Sequence, residues 1–135
     1  MTTGTCLCGK IIFEVNDDIT EATVCHCSIC RKATGSAYGA YGGVPSENLI
    51  WTQGKDQLNE FKVTEVLKKY FCNTCGSTLI TRHQSWPDYA FFSLGCLDGD
   101  LKVSIKYHQF VASKANWVKI CSDTKQFDEW PDEYE

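Results

Sequence analysis

Seven of the nine cysteines fall into three short clusters, and thiols at such spacing bind metal ions. The clusters are Cys6-Leu7-Cys8-Gly9, Cys25-His26-Cys27-Ser28-Ile29-Cys30 and Cys72-Asn73-Thr74-Cys75-Gly76. The first residues do not resemble a secretory signal, and the cysteine count is odd, so a disulfide framework in an oxidising compartment is disfavoured. We therefore interpret the clustered cysteines as zinc ligands.

Two of the clusters together predict one closed site. In a Cys-x-x-Cys-Gly turn the sulfurs of Cys72 and Cys75 converge, and Gly76 permits the positive φ that directs backbone N–H groups at them. The alternative is a redox dithiol, which usually precedes a helix, whereas the residues after Gly76 resemble a strand. Cys6 and Cys8 face the same side of an extended segment. Two pairs complete a tetrahedron, which is the arrangement of structural zinc.

The third cluster predicts an open site. Its three thiols, on Cys25, Cys27 and Cys30, leave a fourth position free, which is the arrangement of catalytic zinc. The sequence thus predicts two Zn²⁺ ions per chain, one structural and one catalytic and able to lose its metal. The alternative is a closed second site with a histidine as fourth ligand, supplied by His26, His83 or His108.

An open site with three thiolates is soft, so its natural fourth ligand is the sulfur of a substrate thiol. The bound thiol would be deprotonated and ready to attack a small electrophile. Arg31 and Lys32 follow the last ligand, and we predict that they offset negative charge or bind a substrate carboxylate. Their alternative interpretation is a solvated surface pair. Cys96 and Cys121 are interpreted as small buried hydrophobic residues.

The elements that must position these clusters are mostly strands. Short segments rich in aromatic and β-branched residues predict strands at 10–15, 36–44, 48–53, 57–63, 66–71, 77–82, 89–94 and 104–111. Short helical turns are expected near 28–34, 97–101 and 115–118. We predict a single mainly β domain over residues 1–135, with an acidic tail at about 128–135 that frays at its end.

Composition and charge exclude several classes of protein. The chain has 135 residues, 43% of them hydrophobic and 22% charged, as in soluble globular domains. Its formal net charge is −4 and its basic residues are scattered, so nucleic-acid binding is not expected. No apolar stretch has the roughly 18 residues of a membrane span. We expect a cytoplasmic protein.

The cysteine motifs, in this order, resemble the glutathione-dependent formaldehyde-activating enzyme family, which shares its domain with centromere protein V. The segments 3–9, 25–32 and 71–76 carry the resemblance, together with 108–117 near the C-terminus. It implies an Mss4-like, tent-shaped β fold of short antiparallel sheets. It also implies structural zinc on the first and third clusters and catalytic zinc on the second.

The activity that the resemblance implies is carbon–sulfur lyase chemistry, in which glutathione adds to formaldehyde to give S-hydroxymethylglutathione. The expected partner is therefore a small-molecule thiol such as glutathione. Two alternatives stay open. One is a non-catalytic binding module supported by zinc, like centromere protein V, and the other is a sensor of thiols or zinc.

Overall fold

The fold consists of two β-sheets, one short α-helix and a few 3₁₀ turns. The computed structural model describes residues 1–121 and 123–132. The strands are β1 Thr2–Thr5, β2 Ile12–Val15, β3 Glu21–Cys25, β4 Gly39–Pro45, β5 Leu49–Gln53, β6 Leu58–Lys62, β7 Leu67–Cys72, β8 Thr78–His83, β9 Tyr89–Ser93, β10 Ser104–Gln109 and β11 Lys125–Gln126. Helix α1 spans Ser28–Thr34, and 3₁₀ turns lie at Ser46–Asn48, Lys55–Gln57, Leu94–Cys96 and Val111–Ser113.

The strands form a small and a large sheet. The small sheet has the order β1-β2-β5 and the large sheet the order β11-β10-β3-β4-β9-β8-β7-β6. Most neighbours are antiparallel, but β10 pairs in parallel with both β3 and β11. The predicted mainly β fold is confirmed, with the difference that its large sheet is mixed.

The hydrophobic core contains side chains of both sheets. Phe13 and Val15 of β2 are fully buried, and they belong to the same cluster as Ile80 of β8 and Phe92 of β9. Burying a side chain of this size contributes about 1.5–3 kcal/mol, so this cluster stabilises the fold. Cys6 and Cys72 also belong to it, which ties the first and third cysteine clusters to the core.

The opposite face of the large sheet lines an open cleft. Alternate residues of a strand point to one face, and Lys69 of β7, Thr81 of β8 and Phe91 of β9 are cross-strand neighbours in one row. All three line a cleft of about 790 Å³, which Cys25 and Cys30 also line. The fold thus places the second cysteine cluster beside a cavity, away from the core cluster.

All eight predicted strands are present, with bounds that differ by a few residues. The strands β1, β3 and β11 were not predicted. The helical turn near 28–34 is α1. The prediction near 97–101 is wrong, because the 3₁₀ turn lies just before it at Leu94–Cys96. Near 115–118 the structure has a single hydrogen-bonded turn, in which Val118 N–H bonds to the carbonyl of Ala115, and no longer helix.

The start of the acidic tail packs against the body of the domain. Phe110 donates its N–H to the carbonyl of Glu129, Val111 to that of Phe127, and Pro131 is buried. These bonds hold Trp130 against the ring of Phe110 at a centroid distance of 5.0 Å. The predicted fraying concerns residues 133–135, which lie outside the described residues.

Candidate metal centres

The first and third clusters converge on one point. The Sγ atoms of Cys6, Cys8, Cys72 and Cys75 all lie within 4.8 Å of one another. The Cys6–Cys8 separation is 3.6 Å and the Cys8–Cys72 separation is 3.7 Å. Tetrahedral zinc with bonds of about 2.3 Å places its sulfurs about 3.8 Å apart, so the geometry fits four-coordinate zinc.

Two glycine turns shape this four-cysteine site. Gly9 and Gly76 each follow a cysteine and each have a φ of 80°, which a residue with a Cβ rarely adopts. Backbone N–H groups then point at sulfur, from Ile11 to Cys6 at 3.3 Å and from Thr74 to Cys72 at 3.4 Å. Such donors stabilise thiolates, as expected of metal ligands.

Ser77 links the two halves of this site. Its hydroxyl lies 3.3 Å from the sulfur of Cys75 and accepts the N–H of Leu7 at 2.9 Å. Hydrogen bonds from the side chain and then the backbone of Ser77 lower the pKa of Cys75 to about 5. These hydrogen bonds favour the thiolate form of Cys75, which is the form that binds a metal ion.

The second cluster forms where β3 ends and α1 begins. Cys25 is the last residue of β3, Cys27 is the N-cap of α1 and Cys30 lies in its first turn. Their three Sγ atoms lie within 4.8 Å of one another, and no described histidine, aspartate or glutamate completes the group. The helix ends at Gly35, whose φ is 64° and whose N–H bonds to the carbonyl of Arg31.

The three thiols cannot all ionise easily, because they are close together and partly buried. Hydrogen bonds from Cys25 and then Cys30 lower the pKa of Cys27 to about 2. The pKa of Cys25 is raised, chiefly by its hydrogen bonds to Cys27 and Cys30 and by burial. Protein groups alone thus favour one thiolate in the cluster, and a divalent cation is needed to hold three.

Tyr41 and Lys69 support this second cluster, and neither was predicted from the sequence. The hydroxyl of Tyr41 donates to the sulfur of Cys30 at 3.2 Å. Lys69 is only 5% exposed, and its Nζ donates to Tyr41 at 3.3 Å and to Thr81 at 3.1 Å. Burial, followed by the charge of the Cys30 thiolate, raises the pKa of Tyr41, so the phenol keeps its proton. The sole signal in the sequence was strand alternation, which places Lys69 and Lys68 on opposite faces.

The histidines lie apart from the three sulfurs. His26 is fully buried, and its Nε2 lies 2.9 Å from Nδ1 of His108. The two rings stack at 5.1 Å, and the ring of Tyr38 lies against His26 at 5.2 Å. No described histidine completes the group of three sulfurs, so the geometry favours a three-ligand second cluster over one closed by His26, His83 or His108.

Arg31 and Lys32 do not line the cleft beside the three cysteines. Lys32 is exposed, whereas Arg31 is half-buried with its Nε unpaired within the described residues. The predicted burial of Cys121 is wrong, because this residue is exposed at the surface. Cys96 is half-buried and packs against the core.

The described part of the chain contains no helix that is both long and apolar enough to cross a membrane.

Comparison with known proteins places these motifs in one family. The family model for the glutathione-dependent formaldehyde-activating enzyme matches residues 1–113. Three curated relatives carry the name "Putative glutathione-dependent formaldehyde-activating enzyme". The relative from Halomonas elongata is 27% identical over 96% of this chain and 88% of its own length.

The two fungal relatives are longer proteins. The Podospora anserina relative is 28% identical, and the match covers 71% of this chain but 45% of that protein. The Penicillium rubens relative is 24% identical over 92% of this chain and 65% of its own length.

A solved structure supports the fold independently. The crystal structure of a Rhodobacter sphaeroides protein from a structural genomics programme superposes with a TM-score of 0.62 at 23% identity. The match covers 76% of this chain and 99% of that one, and at this identity it shows the fold. With the family model matching residues 1–113 and both cysteine sites assembled, the chain belongs to the glutathione-dependent formaldehyde-activating enzyme family.

Proposed function

We propose that this protein is a zinc-dependent enzyme of carbon–sulfur chemistry that forms and cleaves the adduct of a thiol and a carbonyl compound. The observation that carries the proposal is the second cluster. Three sulfurs converge beside an open cleft, and the described residues supply no fourth ligand. A position that the protein leaves free is available to a substrate.

Cys25, Cys27 and Cys30 would hold the catalytic ion, while the four-cysteine site would hold a structural one. A zinc ion bound by three thiolates supplies a soft Lewis acid that lowers the pKa of a substrate thiol. Tyr41 stabilises the electron-rich cluster by donating to Cys30, and Lys69 places a positive charge behind Tyr41. These two residues offset charge that would otherwise disfavour a fourth thiolate.

The reaction balances without a redox partner. The thiol of the substrate loses its proton and its sulfur attacks the carbonyl carbon. The carbon–sulfur bond forms while the carbon–oxygen π bond breaks, and the oxygen takes up a proton from solvent. The reverse reaction cleaves the carbon–sulfur bond and returns thiol and carbonyl compound, as the lyase description requires.

Glutathione is the proposed thiol, on the strength of the family and of the names of the relatives. Arg31 and Lys32 lie on α1 directly after the last ligand. We propose that they bind a carboxylate of the thiol substrate where it extends beyond the cleft. Cytoplasmic location is part of the same proposal, because thiolate ligands and glutathione both persist in a reducing compartment.

The test compares zinc-loaded wild-type protein with Cys27→Ala and with the matched control Cys121→Ala, whose cysteine is exposed outside both clusters. Calorimetry measures glutathione binding, and exchange spectroscopy measures the rate at which glutathione and formaldehyde combine. We expect binding and acceleration in wild type and Cys121→Ala, and neither in Cys27→Ala. Equal binding by all three proteins would contradict the proposal and favour a binding module supported by zinc.

A further inference from the structure

The cleft beside the three cysteines carries an apolar, aromatic wall that a one-carbon adduct would not reach. Its rings come from β9 and from two loops, with Trp86 lying 5.5 Å from Trp130 and 6.3 Å from Phe91 between ring centroids. His83 lies 4.9 Å from Trp86 and extends the wall. All of these side chains line the same cleft as Cys25 and Cys30.

The wall is held in place by an unusual backbone conformation. Phe110 has a φ of 56°, which makes it the one described residue other than glycine with a positive φ. Bulky residues rarely adopt this region, and such strain persists where the surroundings fix it. Here the N–H groups of Phe110, Val111 and Ala112 bond to the carbonyls of residues 127–129. The strain presents the ring of Phe110 to Trp130 at 5.0 Å.

Strand β4 links the wall to the second cluster. Tyr41, which contacts Cys30, is two residues from Gly43 on β4, and Gly43 pairs with Phe91 of β9. The offset of two residues between Tyr41 and Gly43 corresponds to about 7 Å along the strand. This is close to the length of an aromatic ring together with the carbon that would join it to the substrate sulfur. Gly43 leaves room for the Phe91 ring, since a Cβ there would lie 3.0 Å from it.

The charged residues of the cleft are distinct from its apolar wall. Its lining carries three acidic residues, Asp17, Asp18 and Glu21, and two lysines. Lys69 is buried and bonded to Tyr41 and Thr81, and Lys106 lies 3.6 Å from Glu21. The wall therefore suits an uncharged apolar group, whereas the charged peptide part of a thiol such as glutathione fits outside it.

From these contacts we infer that the carbonyl partner carries an aromatic or comparably large apolar group, which binds against Trp86, Phe91, Phe110 and Trp130. Formaldehyde adds a single carbon to the thiol and would leave this wall in contact with water. The inference rests on the proposed function and names the class of carbonyl substrate: aryl or long-chain aldehydes. Their adducts form and break by the same carbon–sulfur step.

The test uses two inert thioethers as stand-ins for the adducts. S-benzylglutathione represents an aryl adduct and S-methylglutathione a one-carbon adduct, and calorimetry measures both, with glutathione itself, on the full zinc-loaded chain. Burying one aromatic ring predicts that the benzyl compound binds about tenfold or more tightly than the methyl compound. Trp86→Ala and, separately, Trp130→Ala should reduce this ratio to about threefold or less.

Trp117→Ala is the matched control, because Trp117 is 72% exposed and does not line the cleft. It should keep the full ratio, and circular dichroism checks that each variant is folded. Equal affinity for the two thioethers would overturn the inference, and so would an unchanged benzyl-to-methyl affinity ratio in both cleft variants. If glutathione still binds in either case, the proposed function is not contradicted. Failure of all three compounds to bind would overturn the proposed function as well.

Discussion

The hydroxyl of Tyr41 donates a hydrogen bond of 3.2 Å to the sulfur of Cys30, and Nζ of Lys69 donates in turn to that hydroxyl at 3.3 Å. The chain of donors runs from a buried cation to a proposed metal ligand. Groups that bond to ligands from behind orient them and tune the metal, and their loss typically costs 10- to 100-fold in metal affinity or activity.

Replacing Tyr41 by phenylalanine should therefore weaken zinc binding at the three-cysteine site by about tenfold. The ring and its packing stay, while the donor to Cys30 is lost. Competition with a chromophoric chelator measures the affinity. Tyr70→Phe is the matched control, because the hydroxyl of Tyr70 bonds to Glu60 at 2.8 Å and does not touch a cysteine. Equal zinc affinity in the two variants would contradict the role of Tyr41.

Replacing Lys69 by methionine keeps much of the volume and removes the charge. We expect glutathione affinity of the zinc-loaded protein to fall about tenfold, since the fourth thiolate adds negative charge that Lys69 helps to offset. Calorimetry checks this. Lys68→Met serves as the control, because Lys68 is partly exposed and paired with Glu60 at 3.2 Å. A larger effect at Lys68 than at Lys69 would contradict the assignment.

The two cysteine sites should differ in their effect on stability. Cys72 is fully buried in the core cluster, and structural zinc contributes on the order of 10 kcal/mol in small domains. Cys72→Ala should therefore unfold the protein, whereas Cys27→Ala should keep a cooperative transition and lose about one zinc per chain. Circular dichroism melts and elemental analysis measure both. Unfolding of both variants to the same extent would show that the two sites share one role.

The cysteine spacing was sufficient to predict the three clusters, because ligands two or three residues apart converge locally whatever the surrounding fold. The meeting of the first and third clusters was predicted only because two pairs complete a tetrahedron. Strand β1 was missed because Gly4 weakens its pattern. The structure explains this glycine, since a Cβ there would lie 2.2 Å from the ring of Phe13. Strand β3 was missed because its last residue, Cys25, belongs to a ligand motif that resembles a loop.

The supporting residues of the second site could not be predicted. Lys69 reaches Tyr41 across 28 positions of sequence, and that contact depends on the order of strands in the large sheet. The aromatic wall likewise joins Trp86 to Trp130 through the packing of the C-terminal segment. Long-range pairing of this kind leaves no local pattern in a single sequence.

The pair of His26 and His108 predicts a stability that depends on pH. Burial lowers the pKa of His108 below its ordinary value of 6.5. As the pH falls, His108 is protonated in the unfolded chain before it is protonated in the folded protein. Its contribution to stability is therefore complete above the unfolded pKa of 6.5 and is lost as the pH falls from there through the folded pKa. His26, Tyr38 and the nearby Lys114 offer no acidic partner to reverse the sign.

His108→Asn, which keeps a polar group near the position of Nδ1, should show a smaller loss of stability on acidification than wild type. Urea unfolding at a series of pH values measures it. Loss of zinc at low pH affects both proteins alike, so the difference between them isolates the histidine. Parallel pH profiles would show that His108 contributes nothing to the dependence.

The proposed function requires the three-cysteine site to take a substrate sulfur as its fourth ligand. X-ray absorption at the zinc edge counts sulfur ligands directly. With both sites loaded, we predict an average of about 3.5 sulfurs per zinc, rising to about 4 when glutathione is added. The Cys27→Ala protein, with its remaining zinc in the four-cysteine site, should show about 4 sulfurs with and without glutathione. An unchanged sulfur count in wild type after glutathione is added would show that the substrate sulfur does not bind the zinc of the three-cysteine site.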